Sequence, residues 1–92
     1  MAESIEHNPR DGKIFIRKDG AEAHLLYEKR SGGILDFVST FVPPEFRGAG
    51  MAAKLVERGM EVAREKRNKV RPTCSYVVTF FERNPQWAEL RE

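Results

Sequence analysis

The residues best suited to chemistry fall in two stretches. The first is Arg47-Gly48-Ala49-Gly50, between a proline-terminated extended segment and an amphipathic one. Unpaired amide groups converge at a helix N-terminus and the helix dipole is positive there, so a glycine-containing turn entering a helix suits a phosphate. Gly48 and Gly50 allow close backbone approach and positive φ, and Arg47 offers a charge-assisted hydrogen bond to an oxyanion. The second stretch holds Cys74 and Tyr76. A thiol at a helix start has its thiolate favoured by the dipole and can act as acid or nucleophile; a phenol can give a proton. Each also has a plainer reading, since free Cys is among the most buried residue types and an aromatic in a helical stripe is usually core.

Three phosphate-binding patterns make different demands on the turn. A Walker loop needs Gly-Lys-Ser or Gly-Lys-Thr, and the chain has neither. The dinucleotide fingerprint G-x-G-x-x-A fits Gly48, Gly50 and Ala53, but the preceding strand belongs to an antiparallel set. About 20 residues on, where an acid should meet the ribose, stands Asn68-Lys69. The third pattern, Gln/Arg-x-x-Gly-x-Gly/Ala, is met by Arg47, Gly50 and Ala52.

The elements that must position these groups follow from periodicity. Residues 1–10 read as a flexible arm, and 11–92 as one domain. Residues 13–17 and 21–28 are strands joined at Asp19-Gly20, the preferred type I′ hairpin pair; Ala23, Leu25 and Tyr27 alternate with polar residues, and Leu26 breaks the alternation slightly. Ser31-Gly32-Gly33 marks a turn, and 34–42 is a central strand, apolar on both faces, stopped by Pro43-Pro44. Apolar positions then recur at helical spacing from Met51 to about Arg67. Gly59 costs about 1 kcal/mol relative to Ala inside a helix, which points to close approach of the helix to a strand. Residues 69–74 read as a fourth strand, an edge or one parted from its neighbour because Pro72 cannot donate to a ladder. Residues 75–83 read as a second helix with Thr73 or Ser75 as cap, ended by Asn84-Pro85. Trp87 and Phe81 read as packing. The fold class is α+β, an α/β sandwich-like antiparallel meander followed by a helix, a splayed strand and a C-terminal helix.

Composition bounds the alternatives. The 92 residues are 40% hydrophobic and 33% charged, enough to bury one core and solvate its outside. One cysteine gives no disulfide, and His7 and His24 lack metal-site spacing, so no metal is expected. The acidic start is unlike a secretory signal, and apolar runs are short, so the expectation is a soluble, intracellular, cytoplasmic monomer. A net charge of +2 argues against a nucleic-acid protein. Residues 45–71 hold eight basic and four acidic residues, a local excess that could receive a compact anion and, less readily, a nucleic acid.

Together, residues 42–56 around the turn, Pro72-Thr73-Cys74-Ser75-Tyr76-Val77 and Arg83-Asn84-Pro85-Gln86-Trp87 resemble the minimal stand-alone members of the GNAT (N-acetyltransferase) superfamily. The likeness runs from about Asp11 to Leu90 and implies the acyl-CoA N-acyltransferase fold. It implies that acetyl-CoA or coenzyme A is held through its pyrophosphate at Arg47, Gly48, Ala49, Gly50, Met51 and Ala52. Its pantetheine would meet the strand end at Phe41, Val42 and Pro43, with Phe81 and Asn84 as further cofactor contacts. The partner strands would splay to admit it, and Cys74 would stand beside the acetyl group.

Transfer of acetyl to an amine needs a base for the nucleophile, donors for the developing oxyanion and an acid for the departing thiolate. Relatives of this type commonly carry His where Ser39 stands, and a hydroxyl cannot replace an imidazole near neutral pH. Asp36, Glu45 and His24 are other candidate bases acting through water, each more often a solvated surface group. Two functions follow: an N-acetyltransferase acting on a small amine, a lysine side chain or a protein N-terminus, and a CoA-binding module with little turnover.

Overall fold

The computed structural model describes residues 4–46, 48 and 50–92. Five strands, β1 (Glu6–Asn8), β2 (Lys13–Lys18), β3 (Ala21–Arg30), β4 (Ile34–Phe41) and β5 (Lys69–Pro72), form one sheet in that order. Helix α1 (Met51–Glu65) links β4 to β5, and α2 (Ser75–Arg83) follows β5. Short 3-10 turns occupy Pro44–Phe46 and Pro85–Leu90. No helix among the described residues is long and apolar enough to cross a membrane.

The β2–β3 hairpin closes on Asp19 and Gly20, both at positive φ (52° and 81°), with Lys18 opposite Ala21, as a type I′ turn requires. Ala23, Leu25 and Tyr27 are buried on the face that meets α1, whose own buried stripe includes Met51, Leu55, Val56, Met60 and Ala63. The helix lies close to the sheet at Gly59. A Cβ there would stand 2.7 Å from Leu25 Cδ2 and 2.9 Å from two ring carbons of the fully buried Phe37. Gly59 therefore gives up helix propensity so that α1 can pack at this distance.

Several boundaries differ from the sequence expectation: β2 runs one residue and β3 two residues further, to Lys18 and Arg30, β4 ends one residue early at Phe41, and three others have visible causes. The arm expected over residues 1–10 contains β1, antiparallel to β2 with His7 opposite Ile14. A 2.6 Å hydrogen bond between His7 Nε2 and Tyr27 Oη ties it down, and three residues with one apolar neighbour, Ile5, give too short a pattern to read. Burial and the nearby Arg58, Lys66 and Lys29 hold His7 below the ordinary histidine pKa. Helix α1 ends at Glu65, two residues early, because Arg67 takes a left-handed conformation (φ 58°). Its amide bonds to Arg64 O and that of Asn68 to Ala63 O, a Schellman ending without the usual glycine. Strand β5 stops at Pro72 rather than at 74, and Cys74, not Thr73 or Ser75, is the N-cap residue of α2.

Gly59→Ala gains helix propensity but forces a methyl into Leu25 and Phe37. A net destabilisation of about 1–2 kcal/mol is expected in urea unfolding. An unchanged or raised midpoint would show that α1 does not pack this closely.

Candidate functional site

Two features of the backbone converge at one end of the sheet. The first is the start of α1. Gly48 (φ 84°) and Gly50 (φ 65°) both sit in the left-handed region, and a Cβ on either would meet nothing within 4 Å, so their outer side is open. Gly50 is the N-cap residue, its carbonyl accepting from Lys54 N at 3.2 Å, and the first turn carries no acid. The amides of Met51, Ala52 and Ala53 thus precede the first intrahelical acceptor and face no competing carboxylate. A groove of about 270 Å³ runs over this helix start, lined by Val42, Phe46, Gly48, Gly50, Met51, Ala52, Ala53 and Tyr76. Arg47 and Ala49, expected to complete the anion site, lie outside the described residues.

The second feature is a split in the sheet. Strand β4 pairs with β3 as far as Phe41, but its parallel ladder with β5 ends at Phe37 opposite Pro72. The register to β3 shifts at the same place: Leu26 faces Ser39 while Tyr27 faces Phe37, so Val38 is an extra residue that bends β4. The last backbone link across the split is Cys74 N to Phe37 O at 2.9 Å. Beyond it the Cys74 thiol donates to Thr40 Oγ1 at 3.6 Å. Tyr76, in the first turn of α2, reaches the groove of the α1 start, and burial pushes its phenol above the ordinary tyrosine pKa.

The split is anchored by Asp36, which is 4% exposed, in the middle of β4. Its carboxylate accepts from Arg30 Nε at 3.1 Å and from the Thr73 hydroxyl. Asp36 was expected as a surface group or base. It is a buried strut instead, holding the segment after β5 against β4 just before the strands part.

A helix start open to an anion thus lies beside a pair of parting strands, and comparisons with known proteins give the family. Residues 13–90 match the family described as GCN5-related N-acetyl-transferase. The chain belongs to that family. Protein NATD1 of Bos taurus and that of Homo sapiens are each 32% identical over 83 residues, spanning 88% of this chain and 74% of theirs. An uncharacterized N-acetyltransferase of Archaeoglobus fulgidus is 42% identical over 57 residues, 62% of this chain but 29% of its own. The NMR solution structure of a GCN5-like protein from Staphylococcus aureus shares the fold, with TM-score 0.73 over 97% of this chain and 87% of that one. At 22% identity that likeness concerns the fold alone.

Binding of coenzyme A is typical of GCN5-related N-acetyltransferases, and the backbone here fits it: open glycines, uncapped amides and a gap between strands. Among the other expected residues, Val42 lines the groove, while Pro43 is buried and accepts from Phe46 N at 3.0 Å, shaping the turn. Phe41 is 51% exposed on the far face of the sheet. Glu45 is exposed on the 3-10 turn, and Ser39 is half-buried opposite Leu26. Asn84 donates Nδ2 to Phe80 O at 2.8 Å, closing the end of α2. Phe81, expected among the cofactor contacts, is 4% exposed in the core under the Arg91 guanidinium and does not line the groove, so the packing reading applies.

A larger depression of about 410 Å³ lies by Pro9–Gly12 and residues 27–29. It is lined by Arg10 and Lys29 as well as Asp11 and Glu28, and has no helix start, so it lacks what a phosphate needs. Among the described residues no cluster could hold a metal ion.

Thr73→Val leaves one buried Asp36 oxygen without its hydroxyl donor. A loss of about 1–3 kcal/mol in urea unfolding is expected, the cost of an unsatisfied buried acceptor. A midpoint equal to that of the parent protein would remove Asp36 as the anchor of the split.

Proposed function

We propose that this chain is an acetyl-CoA-dependent N-acetyltransferase that moves acetyl directly to an amine, whether a small molecule, a lysine side chain or a protein N-terminus. The observation that carries this reading is the coincidence, at one end of the sheet, of the open α1 start and the β4–β5 split. An anion site alone would serve many ligands, and a split alone would be a defect. Together they suit a ligand with a pyrophosphate at one end and a slender arm at the other.

The amides of residues 50–53, with Gly48 and Arg47, would hold the pyrophosphate, and the open edge of β4 at residues 38–42 would meet the pantetheine arm. Acetyl-CoA, when bound, supplies an activated thioester. Tyr76 is the proton donor in this reading: it lines the groove, and its raised pKa keeps the phenol protonated through neutral and mildly alkaline pH. Cys74 stands at the split with its thiol on Thr40, where it would lie beside the acetyl group of the bound cofactor.

Calorimetric titration with acetyl-CoA and with CoA, paired with CoA-thiol release in the presence of amines, tests this reading. Saturable binding is expected, weakened about tenfold or more in Arg47→Ala through loss of a charge-assisted hydrogen bond. Tyr76→Phe should lower kcat about a hundredfold with affinity within about twofold. Absence of binding at millimolar ligand would overturn the proposal. Binding without acetylation of any amine would leave a CoA-binding module in its place.

A further inference from the structure

The open face of the sheet carries a group that the turn and the split do not use. Helix α1 covers the face of Leu25 and Tyr27; the opposite face presents His24 and Leu26 from β3 and, directly across, Phe41 and Ser39 from β4. His24 and Phe41 are register partners with ring centroids 5.6 Å apart, and Phe41 is the large apolar side chain left most exposed among the described residues. Residues 39–41 are therefore flanked on both faces: the Cys74 thiol meets Thr40 from the helical side, and the His24 ring lies against Phe41 on the open side.

The surroundings of His24 fix which nitrogen is available. Glu22 Oε1 lies 3.1 Å from His24 Nδ1. The same carboxylate takes Lys13 Nζ at 3.1 Å and Arg17 Nε at 3.0 Å. Burial opposes its ionisation, but the bonds from Lys13, His24 and Arg17 outweigh this and hold Glu22 below the ordinary carboxylate pKa. An ionised carboxylate only accepts, so Nδ1 must be the N–H donor and the neutral ring carries its lone pair on Nε2. The charged groups facing His24 are Glu22 from its own strand and, through that carboxylate, Lys13 and Arg17 from β2; β4 presents the Phe41 ring and the Ser39 hydroxyl. With side chain 23% exposed, the ring is held yet reachable from solvent.

We propose that His24, oriented by Glu22, is the general base that deprotonates the acceptor amine as it reaches the split from the open face. This rests on the acetyltransferase reading above. Nε2 takes one proton from the acceptor ammonium group, leaving imidazolium. The freed nitrogen lone pair forms the C–N bond to the acetyl carbon while the C–S bond breaks, its electron pair leaving on sulfur. Tyr76 gives sulfur a proton and is restored by the second proton shed from nitrogen, so one N–H remains in the amide. His24 is the catalytic residue here, and Glu22 a positioning residue that acts through it.

The test has one arm that needs no cofactor. Imidazole 15N NMR of the free protein should show the His24 ring protonated at Nδ1 when neutral, and Glu22→Gln should move it toward the Nε2-protonated form. In the second arm, CoA-thiol release is followed with a lysine-containing peptide, a peptide with a free N-terminus, a diamine, and water alone. His24→Gln should lower kcat/KM about a hundredfold with acetyl-CoA affinity within about twofold. Adding Ser39→His, on the same face, should restore at least about tenfold of that loss. An Nε2-protonated ring in the parent protein would overturn the inference, as would His24→Gln activity within about threefold of the parent. So would a parent protein that binds acetyl-CoA and releases thiol with none of these acceptors. Failure to bind acetyl-CoA at all would instead refute the acetyltransferase reading itself, and calorimetry separates that result from the others.

Discussion

Parallel strands in a sheet normally stay paired along their shared length, because a backbone group removed from its ladder must find another partner or water. Here β4 keeps its bonds to β3 through Phe41 but gives up β5 after Phe37. Three local causes act within a few residues of one another. Val38 is an extra residue that bends β4, the Thr73 amide turns back to Arg71 O instead of continuing the ladder, and Asp36 with Thr73 and Arg30 clamps the two segments just before they part. The clamp matters as much as the release, since a split without a fixed origin would fray along the whole of β5.

Everything placed around the split depends on where α1 lies. The close contact at Gly59 sets the helix against Leu25 and Phe37, and Phe37 is also the last residue of β4 to pair with β5. One aromatic ring thus couples the depth of the helix to the origin of the split. The N-terminus of α1 then opens beside the parted strands, and α2, starting at Cys74, brings Tyr76 over the same groove. The sheet faces divide the labour accordingly: Thr40 meets Cys74 on the helical side, while Ser39, Phe41 and His24 share the other.

Much of this was legible wherever a residue type carries a backbone requirement. Asp19-Gly20 announced its turn, Gly59 a close approach and Pro72 a strand edge, and α2 was readable to the residue from its periodicity. What the local pattern does not carry lies in tertiary partners. Strand β1 is held by a hydrogen bond between a histidine and a tyrosine 20 residues away, which no local pattern encodes. Arg67 adopts a conformation usually signalled by glycine. Residue type alone reads Asp36 as a base or a surface group, although an acid flanked by Ile34, Leu35, Phe37 and Val38 is itself a sign of a buried pair. The same limit explains His24: alternation places it on the polar face of β3, but the Glu22 contact and the Phe41 ring across the ladder appear only once the register is known.

The most direct test of this arrangement is residue-resolved NMR of the amides while CoA is titrated into the protein. Shifts confined to residues 38–42, 48–53 and 74–76 are predicted, covering both edges of the split and the α1 start. Shifts centred on Gly12 and Lys29, or on the hairpin at Asp19, would contradict the claim that the split and the helix start form one ligand site.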